Sequence, residues 1–417
     1  MSLTADVLSA AICGHFLSNP PKIIGVAVSG GSDSLAVLLV LADWAAARGV
    51  GLRAVTVDHG LRDGSAGEAA WVGEICDGLG VAHDVLRWQG WDGSGNKADA
   101  ARRARYDLIA DWALQHGITQ VALGHTMDDS AENLVMRLAR EAGVDGLAEM
   151  AVRRKMGAVT LVRPALRIGR EDLRDELRRR GQEWIDDPSN DDAASERVRV
   201  RQALAVLAPL GVSAESLAQV AQNMGAAREA LNWYAFLAAR EVARIDSGDV
   251  VILRKGWRAL QPEIARRVLA QALVWVSRAE YPPRRRALAL AIEAIRQGEG
   301  ITLHGCQIVT GKGDIRVFRE LSAVAALRSG PEVAWDGRWQ MRGPWAEGVT
   351  VAALGKDALS DIPNWRETGR PAAALAASPA IWRDDFLVAA PLAGLSNGWQ
   401  AELPGGGEDF FAAFLAT

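Results

Sequence analysis

The sequence predicts an α/β protein with an N-terminal doubly wound parallel sheet, followed by a mainly helical domain and a small β-rich C-terminal domain. A buried strand near residues 23–28 runs through a glycine turn into an apolar helix. Further strand patterns then alternate with helical patterns, as in a parallel sheet with crossover helices. From Pro331 the chain changes to short strand-like stretches rich in Gly, Pro and Trp. The expected domains are residues 1–207, 213–325 and 331–417.

The composition is that of a globular protein that needs no membrane. Of 417 residues, 49% are hydrophobic and 24% are charged, without an apolar run long enough to span a bilayer. The N-terminus lacks the pattern of a secretory signal, so we expect a cytoplasmic enzyme. The net charge of −4 argues against a protein that coats nucleic acid, so any RNA site must be a local patch. The three cysteines are isolated and are interpreted as packing residues.

The glycine turn after the first strand predicts a phosphate-binding loop. Its paired glycines allow backbone conformations that a Cβ forbids and let an anion approach the main chain. The next helix presents free N–H groups and the positive end of its dipole. Neither the lysine of the common NTPase loop nor a dinucleotide fingerprint is present. The loop residues are Ser29, Gly30, Gly31, Ser32, Asp33 and Ser34. Asp33 is expected to cap the helix or to help hold magnesium on the phosphates.

The second strand pattern, residues 52–57, ends in Asp58 and His59. Ligands of parallel sheets lie beyond the carboxyl ends of strands, which places this pair beside the glycine loop, although such a His is often structural. A helix over 68–79 and a weak strand over 82–88 follow. The next helix runs to His116, and three of its residues can present a positive edge to a phosphate or form a solvated face. They are Arg102, Arg105 and Tyr106.

A further buried strand ends at Gly124, and His125, Asp129 and Glu132 follow it at spacings of four and three. On a helix this spacing puts the three side chains on one face. A neutral His with two carboxylates can bind magnesium, orient a nucleophile or act as acid and base, and hard oxygen ligands fit magnesium better than zinc. Asp33 and Asp129 are the magnesium candidates. The alternative is a capping cluster before a helix over 134–140.

The second half of the chain begins with a long helix pattern over 214–245 and continues with a basic helical stretch and a helix to Arg296. Two alternating strands, 301–309 and 314–319, enclose a glycine turn at 311–313. The arginines of this region can bind RNA or form a solvated face. The C-terminal tryptophans can stack on bases, but burial in a small domain is more common.

Taken in order, the motifs resemble the tRNA(Ile)-lysidine synthetases, a family of N-type ATP pyrophosphatases with a PP-loop and a fold like the adenine nucleotide alpha hydrolases. The matching segments are Ser29-Gly-Gly-Ser-Asp33-Ser34, Asp58-His59-Gly60-Leu61-Arg62, Ala101-Arg102-Arg103-Ala-Arg105-Tyr106, Gly124-His125 with Asp129 and Glu132, Arg163-Pro164-Ala-Leu166, Trp184-Ile-Asp186-Asp187-Pro188-Ser189-Asn190 and Arg197-Val-Arg199-Val-Arg201. They cover about the first half of the chain. The middle region resembles the tRNA-binding domain of that family.

The resemblance implies an enzyme that ligates free lysine to the wobble cytidine of a CAU-anticodon isoleucine tRNA, using ATP and magnesium, as a monomer or homodimer. ATP would adenylate the cytidine with loss of pyrophosphate, and the lysine side chain would then displace AMP. The implied catalytic residues are Asp33, Arg105, His125, Asp129 and Glu132. The implied ATP site adds Asp58 and His59 to the glycine loop. The implied tRNA contacts are Arg197, Arg199 and Arg201.

Other functions remain open at this level. The chain could be a different PP-loop enzyme, either a tRNA 2-thiocytidine synthetase or a small-molecule amide-forming ligase. The thiocytidine synthetase would normally have paired cysteines. A non-enzymatic RNA-binding protein with a relict nucleotide fold is another. The complete set of Asp, His, Arg and Glu candidates argues against the latter.

Overall fold

The computed structural model describes residues 3–17, 20–60, 64–89, 91, 97–186 and 195–416, with only the backbone described at residues 97 and 98. The chain divides into two compact units, residues 1–228 and 229–417. Two motif segments, Leu61-Arg62 and Asp187-Pro188-Ser189-Asn190, lie outside the described residues.

The first unit contains a six-stranded sheet. Its strands are β1 (Ile23–Ala27), β2 (Gly51–Asp58), β3 (Ala82–Arg87), β4 (Gln120–Leu123), β5 (Arg153–Met156) and β6 (Val159–Val162). The spatial order is β3-β2-β1-β4-β6-β5; all neighbours from β3 to β6 are parallel, and β5 pairs antiparallel with β6. The order reverses between β1 and β4, where open sheets of this kind bind ligands.

Helices cover both faces of this sheet. They are α1 (Ala5–Cys13), α2 (Ser32–Arg48), α3 (Ser65–Gly78), α4 (Lys97–Gln115), α5 (Met127–Leu138), α6 (Val144–Leu147), α7 (Arg170–Arg180) and α8 (Glu196–Leu207). One core packs Val26 of β1 against Leu35 and Leu38 of α2. A separate core packs Val121 of β4 against Trp112 of α4. The predicted doubly wound α/β fold is confirmed.

The helix after β4 starts earlier than its apolar pattern predicts, at Met127 rather than Leu134. Thr126 and Asp129 form a capping box, in which the side chain of each accepts a hydrogen bond from the backbone N–H of the other. The polar first turn hides the helical period in the sequence. Asp129 and Glu132 therefore lie on α5, whereas His125 precedes the helix, so the expectation that all three share one helix face is wrong for His125.

A long helix, α9 (Ala214–Val242), leads into the second unit. That unit contains a five-stranded antiparallel sheet of β7 (Ala243–Asp246), β8 (Asp249–Leu253), β9 (Ile301–Leu303), β10 (Cys306–Thr310) and β11 (Asp314–Arg319). The strand order is β7-β8-β11-β10-β9. Its helices are α10 (Arg254–Ala259), α11 (Pro262–Ser277), α12 (Arg285–Gln297) and α13 (Leu321–Val324).

Two hairpins in this sheet differ from the sequence expectation. Residues 243–253, expected to be helical, form the β7–β8 hairpin, and the strand expected over 301–309 divides into β9 and β10. Each break is a two-residue turn with positive φ at both positions, 48° and 81° at Ser247-Gly248 and 60° and 67° at His304-Gly305. Such turns match the twist of the paired strands. A turn of only two residues is too short to interrupt the predicted pattern of a longer helix or strand.

The C-terminal region is rich in strands, as expected. It contains β12 (Gln340–Arg342), β13 (Val349–Ala353), β14 (Pro379–Arg383), β15 (Phe386–Ala389), β16 (Gln400–Glu402), α14 (Lys356–Ser360), α15 (Ala372–Ala376) and α16 (Glu408–Ala412). Trp335, Trp339 and Trp399 are buried in its core, so these three rings do not stack on a base. Phe410 and Phe414 pack in one core with α11 and β8. The separation of 213–325 from 331–417 stays a prediction.

All three cysteines are buried, and burial raises the pKa of Cys76 to about 11 and that of Cys306 to about 12. Their expected packing role is confirmed.

In the part of the chain that is described, no single helix is long and apolar enough to cross a membrane. The helices at residues 196–210 and 214–242 are long and apolar enough only when they are taken together, and they form a bent pair.

Candidate active site

The glycine loop joins β1 to α2 and has the geometry of an anion site. Gly30 has φ of +84°, and Gly31 is the N-cap of α2. The Ser34 hydroxyl accepts the backbone N–H of Ser29 at 3.1 Å and lies 3.1 Å from the Gly31 carbonyl oxygen, to which it donates. These contacts fold the loop around the start of the helix. The first N–H groups of α2 have no acceptor within the helix, so they are available to a phosphate.

A later motif lies against this loop. The backbone N–H of Ile185 donates to the Gly30 carbonyl oxygen at 3.0 Å. A Cβ on Gly30 would stand 2.7 Å from the Ile185 side chain, in addition to the strain of its positive φ. The structure thus brings the Trp184-Ile185-Asp186 segment to the nucleotide loop, more than 150 residues away in sequence.

The end of β4 also meets the glycine loop closely. A Cβ on Gly124 would stand 2.6 Å from Cα and 2.7 Å from N of Ser34. Both atoms belong to the backbone of the first turn of α2, which cannot rotate away as a side chain can. Gly124 is therefore required for the approach of the two strand ends at which the sheet order reverses.

We expect Gly124→Ala to weaken ATP binding by about tenfold, because overpacking of this kind costs about 1–3 kcal/mol and displaces the loop. Gly78→Ala is the matched control, since a Cβ at Gly78 meets nothing within 4 Å. Equilibrium binding of ATP to both variants checks the prediction. Equal affinity of the two variants would show that the loop tolerates the extra atom.

The predicted acidic residues converge on an arginine that the sequence analysis missed. The Arg170 guanidinium donates from Nε to Oδ2 of Asp33 at 2.9 Å, from Nη1 to Oε1 of Glu132 at 3.3 Å and from Nη2 to Oδ1 of Asp129 at 3.4 Å. The Arg170 backbone N–H donates to Oδ2 of Asp128 at 2.7 Å. One cation therefore joins the nucleotide loop to the acids that follow β4. We call Asp33, Asp129 and Glu132 the acidic set.

Two of the predicted tRNA contacts also belong to this cluster. Nε of Arg201 donates to Oε1 of Glu132 at 2.6 Å, and Nη1 of Arg197 lies 3.9 Å from Oδ1 of Asp129. Glu132 is 1% exposed, and its second oxygen, Oε2, is buried without a hydrogen-bond partner. That oxygen is an unused acceptor that favours a further donor. Arg199 is exposed on the other side of α8.

Burial and charge act in opposite directions on the pKa values of Asp33 and Asp129. Burial raises the pKa of Asp33 above its ordinary value, although the Arg170 charge and hydrogen bond oppose the rise. Burial would raise the pKa of Asp129 as well, but the Arg170 charge and the Thr126 backbone N–H lower it overall. Asp129 is therefore firmly ionised, whereas the charge of Asp33 depends on Arg170.

His125 is held neutral. Burial, helped by the charge of Arg163, lowers its pKa to about 3. Its Nδ1 is buried without a hydrogen-bond partner. An uncharged imidazole with a free ring nitrogen can accept or donate a hydrogen bond to a reacting group. Arg163 itself is 4% exposed and follows β6, in the Arg163-Pro164-Ala-Leu166 motif.

Asp58 and His59 lie at the end of β2, as predicted. A carboxylate oxygen of Asp58 accepts the Gly60 N–H at 2.9 Å, and hydrogen bonds from Ser65 and Gly60 lower the pKa of Asp58. His59 packs edge-on against Trp88, and burial followed by the Arg105 charge lowers the pKa of His59. Arg105 thus lies close enough to both histidines for its charge to lower both pKa values.

The structure therefore brings the acidic set into direct contact through Arg170 and groups Arg105 with His59 and His125. Arg163 carried a sequence signal because it lies in a quoted motif. Arg170 carried no sequence signal, since it begins an ordinary charged helix.

A cleft of about 300 Å³ adjoins Glu132. It is lined by both acids and arginines, including Asp128, Arg170, Arg174 and Arg201.

The described residues alone supply too few ligands for magnesium, and phosphates of a bound nucleotide would have to complete the set. They contain no group of three His, Cys, Asp or Glu side chains placed to hold a metal ion. Asp33 and Asp129 nevertheless converge on the same guanidinium. Magnesium in nucleotide sites typically takes one or two carboxylates and completes its shell with phosphates and water, and this pair supplies that number.

Comparison with known proteins agrees with this geometry. Residues 8–207 match a family model described as a PP-loop domain. The tRNA(Ile)-lysidine synthase of Ruegeria pomeroyi is 51% identical over 416 residues, covering 100% of this chain and 99% of the relative. The tRNA(Ile)-lysidine synthase of Hyphomonas neptunium is 38% identical, over 70% of this chain and 80% of the relative. That of Brucella anthropi is 34% identical, over 88% of this chain and 85% of the relative. The chain therefore belongs to the tRNA(Ile)-lysidine synthase family.

Proposed function

We propose that the chain ligates free lysine to the wobble cytidine of a CAU-anticodon isoleucine tRNA, in the cytoplasm and as a monomer or homodimer. In the first step the cytosine 2-carbonyl oxygen attacks the α-phosphorus of ATP, and pyrophosphate leaves. In the second step the lysine side-chain ammonium first loses a proton, and the resulting amine attacks C2 of the cytosine, the ring carbon that bears the adenylated oxygen. The C2–O bond then breaks, AMP leaves with that oxygen, and the new C–N nitrogen releases a second proton. The products are lysidine, AMP and pyrophosphate.

One observation carries the proposal. Arg170 bonds the acid of the glycine loop, Asp33, and the acids of α5, Asp129 and Glu132, at the reversal of strand order. A nucleotide on the loop and an ammonium on the acids would therefore be neighbours. Adenylation followed by attack of an amine requires this proximity.

For the first step, the N–H groups and hydroxyls of Ser29 to Ser34 would bind the phosphates, and Arg105 would stabilise the charge of the departing pyrophosphate. Asp58 and His59 would lie near the nucleotide. Asp33 and Asp129 would hold magnesium with the phosphates; when bound, the ion would neutralise phosphate charge.

For the second step, the acidic set would recognise the lysine ammonium, and Arg174 in the same cleft is suited to its carboxylate. Oε2 of Glu132 is an unused acceptor for that ammonium. Neutral His125 would accept a hydrogen bond from the amine and orient its lone pair. Asp33 lies between loop and acids and would take part in both steps.

The tRNA contacts are assigned to Arg197, Arg199 and Arg201. Arg199 is exposed and the other two are partly exposed, so all three can reach a phosphate. The ion pairs of Arg197 and Arg201 with the acidic set support a further role for these two residues, because RNA binding at α8 would act directly on Asp129 and Glu132.

The direct test is incorporation of radiolabelled lysine into an unmodified CAU-anticodon isoleucine tRNA with ATP and magnesium. A tRNA whose wobble cytidine is changed to uridine is the control. Label on the first tRNA alone is the expected result. Cleavage of ATP to AMP without label on either tRNA would instead indicate another nucleophile, and sulfur, as in a 2-thiocytidine synthetase, would be examined first.

A further inference from the structure

Four arginines surround Tyr106 on the α4 side of the first sheet. The guanidinium carbons of Arg102, Arg105 and Arg154 lie 5.8, 5.2 and 5.5 Å from the centre of the Tyr106 ring. Arg163 lies close enough for its charge to act on the Tyr106 hydroxyl. We call these four side chains the arginine cluster. They come from three different elements, α4, β5 and the loop after β6.

Among the described residues, three of the four members of the arginine cluster have no acidic partner. Within the described ranges, no carboxylate lies at ion-pair distance from Arg102, Arg105 or Arg163, whereas the neighbouring Arg103 pairs with Asp99 at 2.7 Å. Nε of Arg105 and Nε of Arg163 are both buried without a hydrogen-bond partner. A buried cation with an unsatisfied donor is costly unless an anion accompanies it. These donors therefore favour an anionic ligand.

The cluster is accessible from one end. Arg102 is exposed, Arg105 and Arg154 are partly exposed, and Arg163 and Tyr106 are buried at its base. An anion could therefore enter past Arg102 and be met by planar guanidinium groups. Such groups bind phosphate oxygens in pairs and match phosphate better than a point charge does.

We propose that the arginine cluster is a second phosphoryl subsite, separate from the glycine loop, which binds a phosphoryl anion next to His125. The anion is either pyrophosphate from the nucleotide or a phosphodiester of the RNA. Only this choice of source rests on the proposed function. This inference adds Arg154 and Arg163 to the site. It also decides for a phosphoryl contact at Arg102 and Tyr106, where the sequence pattern allowed either a phosphate contact or a solvated face.

Tyr106 provides a reporter that does not depend on enzyme activity. Burial would raise the pKa of Tyr106, but the charges of Arg105, Arg102 and Arg163 lower it to about 8. An anion bound among these arginines offsets their charge. The pKa of Tyr106 should then rise by about one unit, since a nearby charge commonly shifts a pKa by that amount or more.

The experiment titrates the full chain, with its three tyrosines isotope-labelled at the ring carbon that bears the hydroxyl, by NMR against pH. The Tyr106→Phe variant identifies the Tyr106 signal. One arm adds inorganic pyrophosphate and the other adds an anticodon stem-loop RNA. A rise of the Tyr106 pKa in the first arm assigns the subsite to pyrophosphate, and a rise in the second arm alone assigns it to RNA. No rise in either arm overturns the proposal.

Two variants locate the effect. Arg102→Gln should weaken binding of the active ligand by about five- to tenfold, because it removes one charge-assisted contact. Arg103→Gln, its exposed and already paired neighbour, should leave the affinity unchanged. An unchanged affinity and an unchanged Tyr106 response in Arg102→Gln would place the anion elsewhere. Lysine incorporation by the wild type is measured separately, so failure of the subsite and failure of the proposed function are distinguishable.

Discussion

Replacing Asp249 by alanine is expected to lower the free energy of unfolding of the second unit by about 3–5 kcal/mol, the cost of breaking a buried ion pair from one side. Asp249 is 4% exposed. Its Oδ2 accepts from Nη1 of Arg316 at 2.8 Å, and both of its oxygens accept from Nη2 of Arg370 at 2.9 Å. The truncation would leave two buried guanidinium groups without this partner.

Asp246→Ala is the matched control. Asp246 also accepts from Arg316, at 2.7 Å, but its side chain is 27% exposed and water can replace it. We expect a loss of about 1 kcal/mol or less. Urea denaturation gives the free energy of unfolding of each variant, and hydrogen exchange in β8 and β11 shows whether the loss is located at this network. Equal destabilisation by the two variants would show that burial of Asp249 does not matter.

A double variant tests the coupling. Arg370 already has two buried nitrogens, Nε and Nη1, without a hydrogen-bond partner. Asp249→Ala combined with Arg370→Met should cost clearly less than the sum of the single changes, because the second change removes a charge that the first leaves unpaired. Strict additivity would contradict a shared network. Arg370 lies in the C-terminal region, so the network couples that region to the sheet of the middle region.

Replacing Arg170 by methionine is expected to slow lysine ligation by about a hundredfold or more at neutral pH. Arg170 is the common donor to Asp33, Asp129 and Glu132, and its charge opposes the rise that burial causes in the pKa of Asp33. Without Arg170 the Asp33 pKa rises further, and a larger fraction of Asp33 is protonated at a given pH. The acidic limb of the pH–rate profile should therefore move to higher pH.

The readout is the rate of lysine incorporation as a function of pH, with thermal melting to confirm folding. Arg170→Lys keeps the charge and should hold the acidic limb near that of the wild type, although with weaker contacts. Arg178→Gln is the control on the same helix. Among the described residues, Arg178 forms ion pairs with Glu171 and Asp175 and stacks on Trp184, but it forms none with the acidic set. If the acidic limb of Arg170→Met stays at the wild-type pH, Arg170 does not control the pKa of Asp33.

The sequence by itself determined the α/β fold of the first unit and most of the candidate site. The glycine loop, Asp58, His59 and His125 follow strands, and a parallel sheet gathers the carboxyl ends of its strands at one edge. Local order therefore predicts spatial proximity there. The same local reasoning misses two-residue turns such as Ser247-Gly248, because two residues carry little pattern after the long helical pattern that precedes them.

Only the tertiary structure revealed Arg170 as the partner of the acidic set, the contact of Gly124 with Ser34 and the approach of Arg154 and Arg163 to the α4 residues around Tyr106. Each depends on side chains or backbone atoms that are distant in sequence, and no spacing rule relates them. It also decided that Arg197 and Arg201 reach the acidic set, although the motif alone indicated RNA contacts. Charge compensation in a buried site depends on which groups are brought together, and folding alone decides that.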